Sequence, residues 1–274
     1  AVLFAAACHA GWNALIKVGL DPLSTTTLIS VGSGIVALAF APFVGIPASA
    51  AWPWLFASVV IHLVYFASLI ESYRTGDLGQ VYPIARGSAP LMTAAVTSIF
   101  VGEKLSALGW TGIVALVAGV LLLSAHGGRR LAEIDRRAIG FALFTALTIC
   151  AYSVVDGIGA RLSANPNGYS VWLFIGIAMV MVPYALYRDG RDVIPAMQRF
   201  WLRGFAGGAL QVLSYGIAIW AMTAAPIAIV ATLRETSVLF GAVIAVVVLK
   251  EPLRAARIAA ACLIVCGLVL IRVQ

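Results

Sequence analysis

The sequence predicts an all-α integral membrane protein, with ten transmembrane helices arranged as two inverted five-helix repeats around a central cavity. Hydrophobic residues make up 62% of the 274 and charged residues only 11%, whereas a soluble domain has roughly 25% charged residues. The apolar runs approach the length of about 20 residues that a spanning helix needs. Arg86 and Arg234 interrupt two of these runs at corresponding places in the two halves of the chain.

The ten expected spans follow one another with little chain between them. In order, they cover about residues 2–18, 25–44, 52–73, 78–101, 108–124, 138–161, 169–187, 201–223, 226–249 and 257–271. A charged connector separates the fifth span from the sixth. We therefore divide the chain into a first repeat (1–128), a connector (129–137) and a second repeat (138–274). The first helix lacks the basic start and the small-residue cleavage site of a signal peptide, so it is expected to be a mature span.

The two repeats can be aligned residue by residue. At an offset of 148 residues, Arg86 corresponds to Arg234 and Glu103 corresponds to Glu251. Because each repeat has five helices, an odd number, the second repeat must enter the membrane in the opposite sense. Inverted repeats of this kind are common in secondary transporters, whose substrate site lies near the bilayer midplane between the repeats.

The positive charges predict the orientation in the membrane. Loops that follow the odd-numbered helices contain thirteen lysine and arginine residues, whereas the opposite side contains three. Since basic residues concentrate in cytoplasmic loops, we expect a multi-pass protein of the inner (plasma) membrane with both termini on the periplasmic side. The net charge of +7 mostly reflects the basic residues on that side, and it does not indicate a surface for nucleic acid.

Each half contains short motifs. In the first half they are residues 12–17 and the run from Pro90 through residues 102–105, and in the second half they are the run from residues 233–237 through residues 251–253, then Gly267. In this order and spacing, the chain resembles the EamA family of the drug/metabolite transporter superfamily over its whole length. The resemblance implies a carrier of small metabolites, and within the family the chain is most similar to bacterial exporters of amino acids, including aromatic ones. One position departs from the repeat: Val238 stands where the first half has Pro90, which argues against a kink shared by the two halves.

Polar residues inside the spans identify a candidate substrate site, because lipid penalises them unless they face protein or water. The candidate substrate-binding residues are His9, Trp12, Asn13, His62, Tyr82, Arg86, Tyr152, Ser153, Gln211, Tyr215 and Arg234. Aromatic rings with hydroxyl groups, imidazoles and amides suit an amphipathic zwitterion with a sizeable side chain. An arginine suits its carboxylate, which it binds through two parallel donors.

Structural interpretations of the same residues stay open at this point. His9 could make a helix–helix hydrogen bond, and His62 could be a packing residue. Each arginine could belong to a structural pair, such as Arg234 with a carboxylate of another helix.

The sequence contains no metal-ligand set, no Ser-His-Asp arrangement and no phosphate-binding loop. We therefore predict a secondary transporter that works by alternating access and exports amino acids, with no enzymatic activity and no cofactor. Carriers for sugars, nucleosides or drugs are the alternatives within the superfamily. An intramembrane enzyme that uses His62 or His9 as a base, and a membrane scaffold, are further alternatives.

The expected partners are a small-molecule substrate and the lipid bilayer, with no nucleic acid. His9, His62, Asp156 and Glu235 could each bind a proton, whereas a carrier driven by its substrate gradient needs none of them. Proton coupling is therefore left open, and no oligomeric state follows from the sequence.

Overall fold

The structure is a computed structural model that describes residues 1–15, 20–75, 78–125, 136–247 and 255–273. The regular elements in these ranges are helical and include no strand, which confirms the all-α class. The α-helices are α1 (Val2–Leu15), α2 (Pro22–Val44), α3 (Trp52–Thr75), α4 (Leu78–Val96), α5 (Ala107–Ala125), α6 (Arg136–Leu162), α7 (Pro166–Asp189), α8 (Val193–Arg199), α9 (Trp201–Ala224), α10 (Ile227–Arg234), α11 (Ser237–Val247) and α12 (Ala255–Val273).

Seven helical segments in the described ranges are long and apolar enough to cross a membrane. They are Pro22–Val44, Ser49–Glu71, Ile84–Val101, Arg136–Leu162, Pro166–Pro195, Trp201–Ala224 and Ala255–Val273. A shorter apolar helix covers Ala107–Leu123. Large apolar side chains on these segments are exposed, as lipid contact allows, including Phe43 at 84% and Phe100 at 79%. The chain is therefore a multi-pass membrane protein, and the expected number of ten spans stays a prediction.

The ninth predicted span is not one continuous helix. It consists of α10 and α11, which are separated at Glu235 and Thr236. The N–H of Thr236 donates to the carbonyl of Leu233 at 3.2 Å, and the N–H of Val238 donates to that of Glu235 at 3.1 Å. These i to i−3 bonds form a tighter turn than an α-helix. No proline lies between Ile227 and Val247, whereas α4 runs unbroken through both of its prolines.

The ends of other helices follow from local capping. The Asp21 side chain accepts hydrogen bonds from the N–H groups of Leu23 and Ser24 at 2.9 and 3.0 Å, which begins α2. The short helix α8 lies in the segment that we expected to be a loop between two spans.

The described chain forms two compact units. Unit 1 comprises Ala1–Phe66 and Val155–Ala224, and unit 2 comprises Ala67–Val154 and Ala225–Gln274. Each unit therefore contains chain from both sequence repeats, and α3 and α6 contribute residues to both units. The predicted repeats describe internal sequence similarity rather than these units, so their boundaries stay a prediction.

Some residues of the sequence argument lie outside the described part of the chain. They are Lys17, most of the connector (residues 129–135) and the second-half motif at residues 251–253.

In unit 1, α2 packs against α7 and α9, and α1 packs against α9. Small residues allow the closest approach. A Cβ added to Gly32 would overlap the backbone of Gly204, and one added to Gly208 would overlap the backbone of Ser33. Close packing through small residues is typical of helices in membranes, where apolar surface alone gives no driving force for association.

In unit 2, α5 packs along α12 and against α4. A Cβ added to Gly267 would lie 2.7 Å from the carbonyl oxygen of Gly112 and 2.7 Å from the backbone nitrogen of Leu116. Buried apolar side chains, including Ile113, Leu116 and Ile264, fill the interior around this contact. This packing supports α4 and α10, which carry Arg86 and Arg234.

Candidate functional site

A buried ion pair joins α4 to the break between α10 and α11. The Nε atom of Arg86 lies 2.9 Å from Oε2 of Glu235, and the two residues are 4% and 3% exposed. Removing one partner of a buried pair leaves an uncompensated charge, at a cost of about 3–5 kcal/mol. Arg86 therefore has a structural role in unit 2.

Arg234 and Tyr152 adjoin this pair. Arg234 is the last residue of α10 and is 8% exposed, whereas Tyr152 comes from α6 and is 4% exposed. The Tyr152 hydroxyl lies within hydrogen-bonding reach of the Arg234 guanidinium and in electrostatic contact with Arg86 and Glu235. Two guanidinium groups thus lie near one carboxylate, and these three side chains together carry a net charge of +1.

Ser153 follows Tyr152 on α6 and is 1% exposed. Its hydroxyl oxygen is buried without a hydrogen-bond partner among the described residues. A buried polar group without a partner costs about 1–3 kcal/mol, so this hydroxyl is a candidate to bind a ligand.

A glutamate from the first repeat holds the start of α10. Pro226 precedes the helix, and the Glu103 carboxylate accepts hydrogen bonds from the N–H groups of Ile227 at 2.8 Å and Ala228 at 3.4 Å. The first N–H groups of a helix have no partner within it and carry partial positive charge, so a carboxylate is favourable there. Glu103 therefore fixes the beginning of the helix that ends at Arg234.

A second buried polar cluster lies in unit 1. Asp156 on α6 is fully buried, and its carboxylate accepts hydrogen bonds from the hydroxyls of Tyr169 on α7, at 2.9 Å, and Tyr215 on α9. From α3, Ser58 lies within hydrogen-bonding reach of Asp156, and His62 lies in electrostatic contact with it. The rings of His62 and Tyr215 meet edge to face at 5.9 Å.

The candidate residues of α1 contact one another. Trp12 Nε1 donates to His9 Nδ1 at 3.3 Å, and Asn13 Nδ2 donates to the carbonyl of His9 at 2.8 Å. All three are half-buried. On α9, Gln211 accepts a hydrogen bond from the Ser33 hydroxyl at 2.6 Å.

The structure therefore brings some of the predicted residues together within each unit. Arg86, Arg234 and Tyr152 meet in unit 2, beside Ser153. His62 and Tyr215 meet in unit 1. Tyr82 lies on α4, but its side chain is outside the described part of the structure. One cavity shared by all eleven residues stays a prediction.

Four buried partners were absent from the predicted site: Ser58, Asp156, Tyr169 and Glu235. The two carboxylates carried a usable signal, because an ionisable residue inside a span suggests function by default. Tyr169 is the first residue of the seventh predicted span, and nothing in the sequence pattern pointed to a role in the site. No group of three or more histidine, cysteine, aspartate or glutamate side chains that could hold a metal ion occurs in the described ranges.

Comparison with known proteins supports the same interpretation of the two halves. The sequence profile of the EamA-like transporter family matches residues 1–125 and again residues 136–273. No curated protein sequence matches the chain. One solved structure, described only as the crystal structure of a protein, has a similar fold, with a TM-score of 0.80 and 19% identity over 98% of this chain and 93% of the other.

Proposed function

Because the chain belongs to the EamA-like transporter family, we propose that it is a secondary transporter that exports amino acids, including aromatic ones, across the inner membrane by alternating access. The observation that carries this proposal is the buried cluster of Arg86, Arg234, Glu235 and Tyr152. Its net positive charge lies deep in an apolar protein, where it is complementary to one anionic group. The carboxylate of an amino acid supplies such a group, and Tyr152 supplies a ring with a hydroxyl.

The break between α10 and α11 supports a substrate site at this cluster. Discontinuous membrane helices commonly build the binding sites of secondary transporters, because their free backbone groups must face protein or a cavity rather than lipid. The break at Glu235 and Thr236 directly follows Arg234. A small movement at this turn would change the position of both charged side chains, so α10 and α11 are suited to gate the site.

The remaining candidates, His9, Trp12, Asn13, His62 and Gln211, are proposed to contribute to the same transport path. All five are partly or fully buried within spans. Cysteines introduced singly at His9, Asn13, Tyr82, Tyr152 and Gln211, in a background that lacks the four native cysteines, should react with a polar thiol reagent. Substrate should protect them, and inertness at all five positions would reject a shared aqueous path.

Transport into vesicles tests the substrate class. We would reconstitute the purified protein and compare uptake of labelled amino acids, sugars and nucleosides, with protein-free vesicles as the control. Phenylalanine should compete with a transported amino acid, whereas phenethylamine, which lacks the carboxylate, should not. Equal competition by the two compounds would contradict carboxylate recognition, and exclusive uptake of a sugar or nucleoside would replace the proposed substrate.

The same assay tests whether Arg86 and Arg234 bind the substrate carboxylate through two parallel donors. Arg86→Lys and Arg234→Lys keep the positive charge but lose the two parallel donors. A hydrogen bond to a charged group contributes about 1.5–3 kcal/mol. If an arginine binds the substrate, its replacement by lysine should therefore lower the apparent affinity for substrate about tenfold to a hundredfold. Arg199→Lys is the matched control, because Arg199 is exposed at the end of α8. Parental affinity in both buried variants, at equal amounts of folded protein, would exclude these arginines from the site.

The transport proposed here does not depend on proton coupling. Of the four side chains that could bind a proton, Glu235 is held in the ion pair with Arg86, and the His9 ring contacts Trp12 within α1. Asp156 and His62 are the remaining two, and they lie together in unit 1.

A further inference from the structure

The strongest unassigned feature is the carboxylate of Asp156. It is fully buried in the middle of four helices, and three hydroxyl groups surround it, from Ser58, Tyr169 and Tyr215. Removing an ionised carboxylate from water is costly unless a positive charge or a proton compensates it. The positive charge available to it within this cluster is that of His62.

His62 has a defined orientation. Its Nδ1 atom lies 2.9 Å from the carbonyl oxygen of Ser58 and 3.2 Å from the Ser58 hydroxyl. Because a carbonyl oxygen can only accept, Nδ1 carries the hydrogen in this contact. A second proton must therefore bind at Nε2. The imidazole is 6% exposed, so this proton would be held in the protein interior.

Other titratable groups lie on the helices around this pair. Arg161 on α6 is exposed and donates its Nε hydrogen to the carbonyl of Met222 at 2.9 Å. Tyr65 on α3 lies beside His62, with ring centroids 6.5 Å apart, and α1, which packs on α9, carries Cys8 and His9. Arg203 lies near the start of α9, twelve residues before Tyr215.

Further titratable groups lie on the same helices. They include Glu71 on α3, Arg136, Arg137, Cys150 and Tyr152 on α6, and Tyr184, Tyr187, Arg188 and Asp189 in the last turns of α7. Tyr152, one turn before Asp156, lies within hydrogen-bonding reach of Arg234. The helix α2, which packs on α7 and α9, has no titratable residue.

We propose that Asp156 and His62 form a proton-binding site through which proton movement is coupled to transport. This inference rests on the proposed transport function. A fully buried carboxylate in contact with hydroxyl groups suits a proton, which needs no cavity, better than a substrate amine. The pair holds one proton when it is electrically neutral, shared as carboxylate with imidazolium or as carboxylic acid with imidazole.

Tyr169 and Tyr215 link the protonation state of Asp156 to the contacts between helices. An ionised carboxylate accepts from both Tyr169 and Tyr215 through charge-assisted hydrogen bonds, which are roughly twice as strong as neutral ones. Protonation converts one acceptor oxygen into an O–H donor and weakens these bonds. Proton uptake from one side and release to the other would thus alternately loosen and tighten the attachment of α6 to α7 and α9.

Infrared difference spectroscopy tests the proton site without transport. Purified protein taken through successive pH steps should show the carbonyl band of a protonated carboxyl group, which shifts in D₂O and is missing in Asp156→Asn. His62→Gln, which removes the charged neighbour, should shift the pH midpoint of this band. If the parent shows no band that depends on Asp156, or if the midpoint is unchanged in His62→Gln, the site is refuted.

Vesicle flux tests the coupling. An imposed pH gradient at zero membrane potential should accelerate the flux of the parent several-fold. The flux of Asp156→Asn should not respond to the gradient, although this variant should still exchange labelled for unlabelled substrate. Tyr184→Phe, which removes a hydroxyl at the far end of α7, is the control and should respond like the parent. Parental flux that ignores the gradient would overturn the coupling and leave the proposed transport intact. If no tested solute is transported, the proposed function fails, and the infrared band alone decides whether the proton site exists.

Discussion

Arg86 combines a structural contact with a candidate binding group. Its ion pair with Glu235 explains how a guanidinium is retained inside unit 2. The sequence could predict that Arg86, Arg234 and Tyr152 avoid lipid, because burial of charge is penalised at any such position. It could not predict the partner, because helical periodicity relates residues of one helix and carries no information on which helices meet.

Exchanging the two charges tests this pair. Arg86→Glu and Glu235→Arg each place like charges together, and each should destabilise the protein by about 3–5 kcal/mol. The double variant restores opposite charges and should recover part of that loss. Thermal unfolding in detergent measures the three variants, with Arg199→Glu as an exposed control that should stay within about 0.5 kcal/mol of the parent. If the double variant loses as much as the two single losses combined, the pair is not energetically coupled.

At the scale of helices, hydropathy predicted where most of the long helices lie in the sequence, because a bilayer requires apolar segments of a given length. Expected ends and observed ends agree within a few residues for α3 and α7. The break between α10 and α11 was missed because it contains neither proline nor glycine. Its signals are the polar residues Arg234, Glu235 and Thr236, which need partners other than lipid.

The contact between α5 and α12 predicts a position that tolerates no side chain. Gly267→Ala should destabilise the protein by about 1–3 kcal/mol, because the added Cβ would lie 2.7 Å from backbone atoms of α5. Gly241→Ala in α11 is the matched control, since nothing lies within 4 Å of the added Cβ. There alanine should be neutral or stabilise by up to about 1 kcal/mol. Equal melting temperatures for the two variants would contradict this packing.

Glu103 gives a prediction for α10. Glu103→Ala removes the acceptor for the N–H groups of Ile227 and Ala228, and it should cost about 1 kcal/mol of stability. Glu103→Gln keeps an acceptor oxygen and should lose less. Lys104→Ala, at the next residue, controls for a change in the loop itself. Unfolding curves in detergent rank the stability of the three variants. If Lys104→Ala loses as much stability as Glu103→Ala, Glu103 does not stabilise the start of α10.

At the scale of the whole molecule, the repeat was visible in the sequence, and the family profile matches each half separately. The division into compact units was not visible there. Each unit combines segments from both halves, and such pairings over long separations follow from tertiary packing rather than from the order of helices along the chain.

Membrane orientation gives the last prediction. Thirteen basic residues on one side against three on the other should place a reporter fused after Gln274 in the periplasm and one inserted after Arg130 in the cytoplasm. Alkaline phosphatase and green fluorescent protein fusions, active on opposite sides, measure both positions. Activity of the cytoplasmic reporter at Gln274 would reverse the orientation without altering the repeat.

The separation of ion-pair partners along the chain has a consequence for biosynthesis. Arg86 precedes Glu235 by 149 residues. At about 5–20 residues per second, its guanidinium has existed for roughly 7–30 s before the ribosome adds the glutamate. In lipid, that charge would meanwhile cost about 2.5–3.5 kcal/mol on insertion scales. The nascent α4 should therefore stay beside the insertion machinery until the last helices arrive, and a ribosome stalled before residue 235 should leave α4 crosslinkable to that machinery.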